Sequence, residues 1–324
     1  MTEVFEKFNT LNILIIGDVM MDSYLWGKVE RISREAPVPV VSVRKKETRL
    51  GGAANLALNI QALGATPFLC AIVGEDLEAE EFCRLMDHQQ MPKDGILRVA
   101  DRPTTVKTRV IGQNQQIVRV DAEDDRLVES SVSEQLLQRI QQIIEKHRID
   151  LIIFEDYDKG VISESLIYEV VSLAELKQIP TIVDPKKRNF MFYKNVTLFK
   201  PNLKELKEGL KIDIDARNTH DIAEAVDQLQ EQLGAHHVMV TLSERGVYIS
   251  APAGKKLIPA HIRDIADVSG AGDTVIATTA VCLASGLDAF TTAAIANLAG
   301  GLVCEHVGVV PINKRQLLAE ALRL

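Results

Sequence analysis

The segment 267–274, with the sequence DVSGAGDT, places two carboxylates around backbone that carries almost no side chains. The apolar run VIATTAVCLASG follows it directly and predicts a helix of roughly four turns. First-turn N–H groups lack intrahelical partners and lie at the positive end of the helix dipole, so Gly270, Ala271 and Gly272 would let a phosphate approach the backbone. Asp273 would lie beside that anion, where a carboxylate could take the proton of a hydroxyl group. The segment is therefore a candidate site of phosphoryl transfer.

A purely structural interpretation of this segment is equally open, with Asp267 capping the helix while the glycines turn the chain. The segment does not match the phosphate-loop pattern G-x-x-x-x-G-K-[ST]. The dinucleotide pattern G-x-G-x-x-G also fails, because residue 275 is valine. Walker-type and dinucleotide-binding folds are therefore disfavoured.

Short apolar runs elsewhere predict buried strands, and helical segments such as 131–147 and 221–234 separate most of them. The predicted strands are 11–17, 68–74, 150–156, 180–184, 198–202 and 237–243. This alternation indicates a mostly parallel sheet with helices on both faces.

Polar residues concentrate where these strands end, which is where open parallel sheets bind their ligands. The strand ends supply Asp18, Asp22, the segment 155–160 (EDYDKG), Asp184, Lys186, Asn202, Thr241 and Ser243. Any one of them alone is typical of a solvated loop or a helix cap. Five such ends together favour a binding site.

A glycine pair, Gly51 and Gly52, precedes a predicted helix that ends at Gly64. Asn55 would lie one turn into this helix, and the bare amides would face Asp18 and Asp22. Such a group suits a polyol that makes many hydrogen bonds. Close packing of the helix against a neighbouring strand explains the glycines nearly as well.

Asn202 and Glu205 have the spacing of a capping box, which is the more common meaning of this pattern. The same pair could instead organise water around Mg²⁺ at the end of a strand. The spacing alone favours the cap.

Two stretches, approximately 19–50 and 96–121, interrupt the strand–helix rhythm with alternating polar and β-branched residues. They predict a small, separate antiparallel sheet. Because neither stretch has enough apolar residues for its own core, the sheet should pack as a lid on the main body or on a second copy.

The composition excludes several classes of protein. A net charge of −8 over 324 residues, without a long basic run, argues against nucleic-acid binding. The four cysteines lack C-x-x-C spacing, and three of them lie in apolar surroundings that indicate buried thiols, so we expect a reducing compartment and no zinc site. The first 17 residues match neither a secretory signal nor a membrane span, so we expect a cytoplasmic protein.

The chain resembles the ribokinase/PfkB family of sugar kinases from end to end. Gly51, Gly52 and Asn55 match the N-terminal signature of the family, and DVSGAGDT matches its C-terminal signature, usually written D-T-x-G-A-G-D. The motifs N-x-x-E and VTLSERG lie between them. The resemblance implies a ribokinase-like α/β fold, with a central mostly parallel sheet, flanking helices and a small β-sheet lid, in one kinase domain over residues 1–324.

The resemblance also implies roles for individual residues. Asp273 would be the catalytic base, and the amides of Gly270, Ala271 and Gly272 would form an anion hole. Mg²⁺ and the ATP phosphates would be supported by Asn202 and Glu205, the metal through water. The nucleotide site would be lined by Thr241, Ser243, Gly246, Gly272 and Asn297. Asp267 and Ser269 match positions near K⁺ in potassium-dependent members, although Val268 and Ser269 replace the common Thr-Thr.

Within that family, the chain is most similar to the kinases that phosphorylate C1 of D-glycero-β-D-manno-heptose 7-phosphate for ADP-heptose and lipopolysaccharide core synthesis. The similarity lies in GDVMMDSYLWGKVERISREAPVPVV, GGAANLALNI, KTRVIGQNQQIVRVD, EDYDKG and DPK. A phosphorylated sugar needs cations, for which the candidates are Lys107, Arg109, Arg119, Lys159 and Lys186. The three lid cations could instead protect an exposed strand edge.

Two alternatives stay open: a kinase of another acceptor, such as a fructose phosphate or ribose, and a non-catalytic sugar or nucleotide sensor. Many relatives carry a C-terminal nucleotidyltransferase with an H-x-G-H motif, and the sequence has none before its end at Leu324. We therefore expect a single-function kinase or the kinase half of a longer protein. The polar, β-branched lid strands also suit a homodimer formed through the lid.

Overall fold

The computed structural model describes residues 1–113, 115–215, 217–261 and 263–324. Its strands are β1 (Asn12–Gly17), β2 (Val19–Ile32), β3 (Pro39–Gly52), β4 (Thr66–Gly74), β5 (Ile96–Val99), β6 (Val106–Gly112), β7 (Gln115–Ala122), β8 (Leu151–Glu155), β9 (Thr181–Asp184), β10 (Leu198–Phe199), β11 (His237–Thr241), β12 (Val247–Ala251) and β13 (Gly254–Ile258). Its α-helices are α1 (Thr2–Lys7), α2 (Ala53–Ala62), α3 (Leu77–His88), α4 (Ser130–Lys146), α5 (Glu164–Lys177), α6 (Leu203–Leu210), α7 (Thr219–Leu233), α8 (Ala271–Ala284), α9 (Ala289–Val303) and α10 (Lys314–Ala321).

The main sheet has nine strands in the order β13-β12-β11-β10-β9-β8-β1-β4-β5. Its strands are parallel from β5 to β11, and β12 and β13 extend one edge antiparallel. The six predicted strands and the mostly parallel sheet are confirmed. The sequence interpretation missed the β12–β13 hairpin, and β10 has only two residues of the predicted 198–202.

Side chains of β1 show how the sheet is covered on both faces. Ile13 and Ile15 belong to the core that contains residues of α2, α8 and α9. Leu14 and Ile16 point the other way, into the core formed with α4, α5 and α7. Because successive side chains of a strand alternate between faces, a continuous apolar run is what a strand buried on both faces requires.

Strands β2, β3, β6 and β7 form a second sheet, which we call the lid, in the order β3-β2-β6-β7. Its existence confirms the predicted separate sheet, and two of its strand pairs are antiparallel. The central pair, β2 with β6, is parallel, and between these two strands the chain travels through β3, α2, β4, α3 and β5. The predicted segment 96–121 is wrong at its start, since β5 pairs with β4 in the main sheet. Asn114, inside that segment, lies outside the described residues.

Two further expectations concern the burial of the cysteines and the presence of membrane-spanning helices. Cys70, Cys282 and Cys304 are buried, Cys83 is half-buried, and all four are free thiols. In the part of the chain that the structure describes, no helix has both the length and the apolar surface to cross a bilayer.

Candidate active site

The N-terminus of α8 lies at the carboxyl edge of the main sheet and begins on bare backbone. Gly270 is the N-cap residue with φ of +79°, a left-handed conformation that favours glycine. A Cβ added to Gly272 would have only Asp184 Oδ2 within reach, at 4.0 Å, so its backbone faces open space. Among described residues, the Gly270 and Gly272 amides meet no acceptor, whereas the Ala271 amide donates to the Val268 carbonyl at 3.3 Å. Two of the three predicted amides are therefore free to bind an anion.

The structural interpretation of Asp267 as the helix cap is wrong. Its carboxylate accepts hydrogen bonds from the backbone N–H groups of Ser269 and Gly308, both at 2.9 Å, and within the described residues no side chain caps α8. Asp267 thus ties the loop before α8 to the segment after α9. Asp267 and Ser269, the two residues predicted to lie near K⁺, are both in this loop.

Asp273 lies in the first turn of α8 with only 9% of its surface exposed. Asn55 of α2 donates from Nδ2 to its Oδ2, and the Tyr157 hydroxyl donates to its Oδ1 at 2.9 Å. Burial raises the pKa of Asp273 to about 6, although the two hydrogen bonds oppose the rise. The carboxylate is therefore oriented from two sides and can change its protonation near neutral pH.

A cluster of buried charges lies beneath Asp273, at the ends of β8, β9 and β10. Lys200 Nζ contacts Asp184 Oδ2 at 2.8 Å, and both side chains are under 10% exposed. Glu155 is 1% exposed, and its Oε2 has no hydrogen-bond partner within the described structure. Burial and then the carboxylates of Asp184 and Asp273 raise the pKa of Glu155 well above its usual range.

Asn202 and Glu205 form the predicted capping box of α6. Asn202 Oδ1 accepts from the Glu205 N–H and Glu205 Oε2 accepts from the Asn202 N–H, both at 2.9 Å. Glu205 Oε1 also accepts from Lys186 Nζ at 2.6 Å. Each carboxylate oxygen keeps a second lone pair, so the pair fits Mg²⁺ through bridging water, the arrangement that this ion prefers. In the described chain no three His, Cys, Asp or Glu side chains converge as metal ligands.

The first strand's aspartates have different surroundings. Asp18 is buried and accepts backbone N–H groups of Tyr157, Lys159 and Val161 at 2.8, 3.1 and 3.2 Å. These bonds hold the loop after β8, and the role of Asp18 as a sugar ligand stays a prediction. Burial and the neighbouring Asp156 raise the pKa of Asp18 to about 6. Asp22 lies in the lid, where its carboxylate pairs with Arg109.

The two glycines before α2 are required by close packing. A Cβ on Gly52, whose φ is +59°, would lie 2.5 Å from the Asp18 carbonyl oxygen. One on Gly51 would lie 2.5 Å from Asp22 Oδ2. The glycines therefore face Asp18 and Asp22 as predicted, whereas the Asn55 amide points to Asp273 instead.

One face of the lid carries two rows of mostly charged side chains, which we call the charge ladder. The strand register places Arg49, Asp22, Lys107 and Asp121 in one row, and Glu47, Tyr24, Arg109 and Arg119 in the next. Lys107 and Arg109 are largely covered, whereas Arg119 is half exposed. Lys159 reaches Glu123 at the end of the lid, at 2.7 Å. Four of the predicted cations thus lie together, and Lys186 lies apart, with Glu205 and 5.5 Å from the centre of the Tyr157 ring.

The residues predicted for the nucleotide follow the same sheet edge. Thr241 pairs with Asn202 in a short parallel bridge, and Ser243 follows it in a single 3₁₀ turn. Gly246 has φ of +93°, and a Cβ there would lie 2.1 Å from the Ile258 carbonyl oxygen. Asn297 of α9 donates to the Pro259 carbonyl at 2.8 Å. These residues lie along the sheet edge from α6 to α9, beside the start of α8.

Three residues of the site were missed by the sequence analysis: Tyr157, Lys200 and Arg49. Lys200 directly follows β10, so the rule of polar strand ends could have found it. Tyr157 lies inside the EDYDKG segment, but nothing in the spacing connects it with Asp273. Arg49 packs 5.3 Å from the Tyr24 ring centre, as Arg109 does, and only the lid register shows that.

Comparison with known proteins identifies the family to which the chain belongs. The model of the pfkB family of carbohydrate kinases matches residues 10–315. The chain belongs to the pfkB family. It is therefore a carbohydrate kinase, a phosphotransferase with an alcohol acceptor, as the sequence predicted.

The kinase is similar to proteins named bifunctional protein HldE. Identity is 36% with that of Trichlorobacter lovleyi, over 98% of this chain and 64% of the relative. It is 40% with that of Methylobacillus flagellatus, over 95% of this chain and 62% of the relative. It is 38% with that of a Helicobacter pylori strain, over 91% and 63%. The chain thus spans less than two thirds of the length of these relatives.

Solved structures of low sequence identity confirm the ribokinase-like fold of the kinase. Escherichia coli phosphofructokinase-2 in complex with fructose-6-phosphate is 16% identical, with a TM-score of 0.77 over 97% of this chain and 99% of that chain. Arabidopsis thaliana ribokinase complexed with ribose and ATP is 17% identical, with a TM-score of 0.74 over the same shares.

The Lys200–Asp184 pair should contribute strongly to the stability of the kinase. Replacing Lys200→Met leaves Asp184 buried beside Glu155 without its cation, so we expect the free energy of unfolding to fall by about 3–5 kcal/mol. Lys204→Met is the matched control, because exposed Lys204 pairs with Glu208 only at 3.7 Å, and such pairs contribute about 1 kcal/mol or less. Urea unfolding of both variants measures the difference. Equal urea midpoints for the two variants would contradict the predicted contribution of the Lys200–Asp184 pair to stability.

Proposed function

We propose that this kinase transfers the γ-phosphoryl group of ATP to the C1 hydroxyl of D-glycero-β-D-manno-heptose 7-phosphate. The product would be the 1,7-bisphosphate used in ADP-heptose and lipopolysaccharide core synthesis. The observation that carries the proposal is 36–40% identity to HldE proteins over 91–98% of this chain, lid and catalytic half alike. Since the chain spans 62–64% of those bifunctional relatives, the proposal covers the sugar-kinase activity and not the second activity of a bifunctional protein.

Asp273 is the general base in this mechanism. It takes the proton of the C1 hydroxyl as the sugar oxygen attacks the γ-phosphorus; the bond from that phosphorus to the bridging oxygen breaks, and ADP leaves. Asp273 is buried, already oriented by two donors and has a pKa of about 6, which suits a base that must be ionised near neutral pH. Lid closure over the sugar would exclude water as a competing acceptor.

The start of α8 stabilises the charge on the transferring group. The amides of Gly270 and Gly272, which meet no acceptor among the described residues, lie at the positive end of the α8 dipole, three and one residues before Asp273. An oxyanion donor of this kind contributes roughly 10²–10³-fold in rate. The Ala271 amide, which was predicted as a third donor, is used by Val268.

Asn202 and Glu205 would hold Mg²⁺ through water at the next strand end, and the ion would neutralise charge on the ATP phosphates. Lys186 bonds to Glu205 and lies over Tyr157, so we assign it to the phosphates of ATP and not to the sugar phosphate. Thr241, Ser243, Gly246 and Asn297 would border the nucleotide. Asp267 and Ser269 would lie near K⁺ if the activity depends on it.

The charge ladder of the lid is the proposed site of the sugar 7-phosphate. Lys107, Arg109, Arg119 and Lys159 were predicted from the sequence, and Arg49 joins them across Tyr24. Their present partners are carboxylates of the lid, so a phosphate dianion would compete with Asp22 and Glu123 for these cations. Asp22 itself, with Gly51 and Gly52, would lie near the sugar hydroxyls.

The acceptor is tested by ADP release from ATP·Mg²⁺ with a panel of sugars. We expect release with D-glycero-β-D-manno-heptose 7-phosphate and much less with fructose 6-phosphate, ribose or no sugar. Release of ADP only with another sugar would support a sugar kinase but contradict the heptose phosphate as its acceptor. Release with none would favour the alternative of a sugar or nucleotide sensor.

The base is tested by Asp273→Asn, which keeps the size of the side chain but cannot take the proton. We expect turnover to fall by roughly 10²–10⁴-fold while nucleotide affinity, measured by calorimetry, and the thermal midpoint stay near those of the native protein. Native-like turnover in this variant would remove Asp273 from the role of base.

We further propose that two copies form a homodimer through their lids. Strand β7 lies at the edge of the lid sheet and all eight of its residues are exposed, including Val118 and Val120. An exposed edge strand with apolar side chains is a surface suited to pairing with a second strand. Sedimentation at several concentrations should show a dimer that Val120→Lys weakens. A monomer at all concentrations would contradict the proposal.

A further inference from the structure

The Tyr157 hydroxyl lies against the carboxylate that we propose as the base. It donates to Asp273 Oδ1 at 2.9 Å, while Asn55, from the opposite side, donates to Oδ2. Each carboxylate oxygen can accept two hydrogen bonds. Both oxygens are therefore held by the protein and still have a lone pair for the hydroxyl of the acceptor.

Tyr157 is itself fixed at its backbone and at its ring. Its backbone N–H donates to Asp18 Oδ2 at 2.8 Å, and the same carboxylate holds Lys159 and Val161. The Lys186 ammonium lies 5.5 Å from the centre of its ring, within the range of cation–π attraction. The phenol is thus placed by the loop after β8, and Asp273 by α8, so the bond joins two separate elements.

We propose that Tyr157 is a positioning residue that orients Asp273 and favours its ionised form for proton removal. The inference rests on the proposed role of Asp273 as the base. In the reaction the proton of the sugar hydroxyl passes to Asp273, and Tyr157 keeps its own proton throughout.

The charges around Asp273 explain why such a donor matters. Asp184 of β9 opposes a negative charge on Asp273, and Lys200 after β10 favours that charge. The charge of Asp273 in turn raises the pKa of Glu155 of β8. Asn55 of α2 and Tyr157 are neutral donors. Burial, and then the charge of Asp273, raise the pKa of Tyr157 well above its ordinary value. The phenol is therefore protonated at every working pH and is always a donor.

Tyr157→Phe removes the donor and leaves the ring in place. A hydrogen bond to an ionised group favours that form, and its loss should raise the pKa of Asp273 by about one unit. We expect the acid limb of kcat/KM, measured from pH 5 to 9, to move upward by about one pH unit. The loss of activity should then be roughly tenfold larger on the acid limb than on the plateau. Ionisation of ATP and of the sugar phosphate is the same in both proteins.

Tyr193→Phe is the matched control. Tyr193 is fully buried and its hydroxyl donates to Asp156 Oδ2 at 2.7 Å, so the same type of phenol–carboxylate bond is lost at a carboxylate other than Asp273. This variant should have a lower thermal midpoint and an acid limb at the native pH. A purely structural role of Tyr157 would give the same pattern in Tyr157→Phe.

The proposal is overturned if Tyr157→Phe folds and its acid limb stays at the native pH, or if Tyr193→Phe moves the limb as far. Should Tyr157→Phe not fold, 3-fluorotyrosine at position 157 is a second test. Fluorine makes the phenol a stronger donor, so the limb should move downward, and an unmoved limb would again overturn the proposal. Failure of the base itself is distinguishable, because Asp273→Asn would then retain turnover.

Discussion

A carboxylate that is buried and yet must ionise is the constraint on which the rest of this structure depends. Asp273 lies in the first turn of α8 beside Glu155 and Asp184, and burying such charges without partners would cost several kcal/mol each. Lys200 supplies a buried cation, and Asn55 and Tyr157 supply donors. Five different elements of the fold therefore meet at one side chain.

The parallel sheet makes this convergence possible. The carboxyl ends of β8, β9 and β10 lie side by side, so residues that are far apart in the chain share one edge. Asp18, at the end of β1, holds the loop after β8 through three N–H groups. Strand β2 of the lid follows β1 directly in the chain. This connection places the charge ladder over the same edge of the sheet. Core, lid and site are thus connected through a few buried polar contacts.

Local sequence patterns predicted individual strands and the start of a helix. Apolar runs located the six strands, and the small residues before an apolar run located the start of α8. Pairing between distant segments was not predictable: β5 joined the main sheet, and β2 pairs with β6 in parallel. Asp267 has the spacing of a cap but bonds to Gly308, 41 residues away. Tyr157 was missed for the same reason, since its partner Asp273 lies on another element.

The most direct test of the account is the structure of a complex with Mg²⁺, ADP, aluminium fluoride and D-glycero-β-D-manno-heptose 7-phosphate. In that complex we expect the C1 oxygen within hydrogen-bond distance of Asp273, the aluminium fluoride facing the amides of Gly270 and Gly272, and the Tyr157 hydroxyl still bonded to Asp273. A C1 oxygen bound to another side chain, with Asp273 turned away from the fluoride, would contradict it.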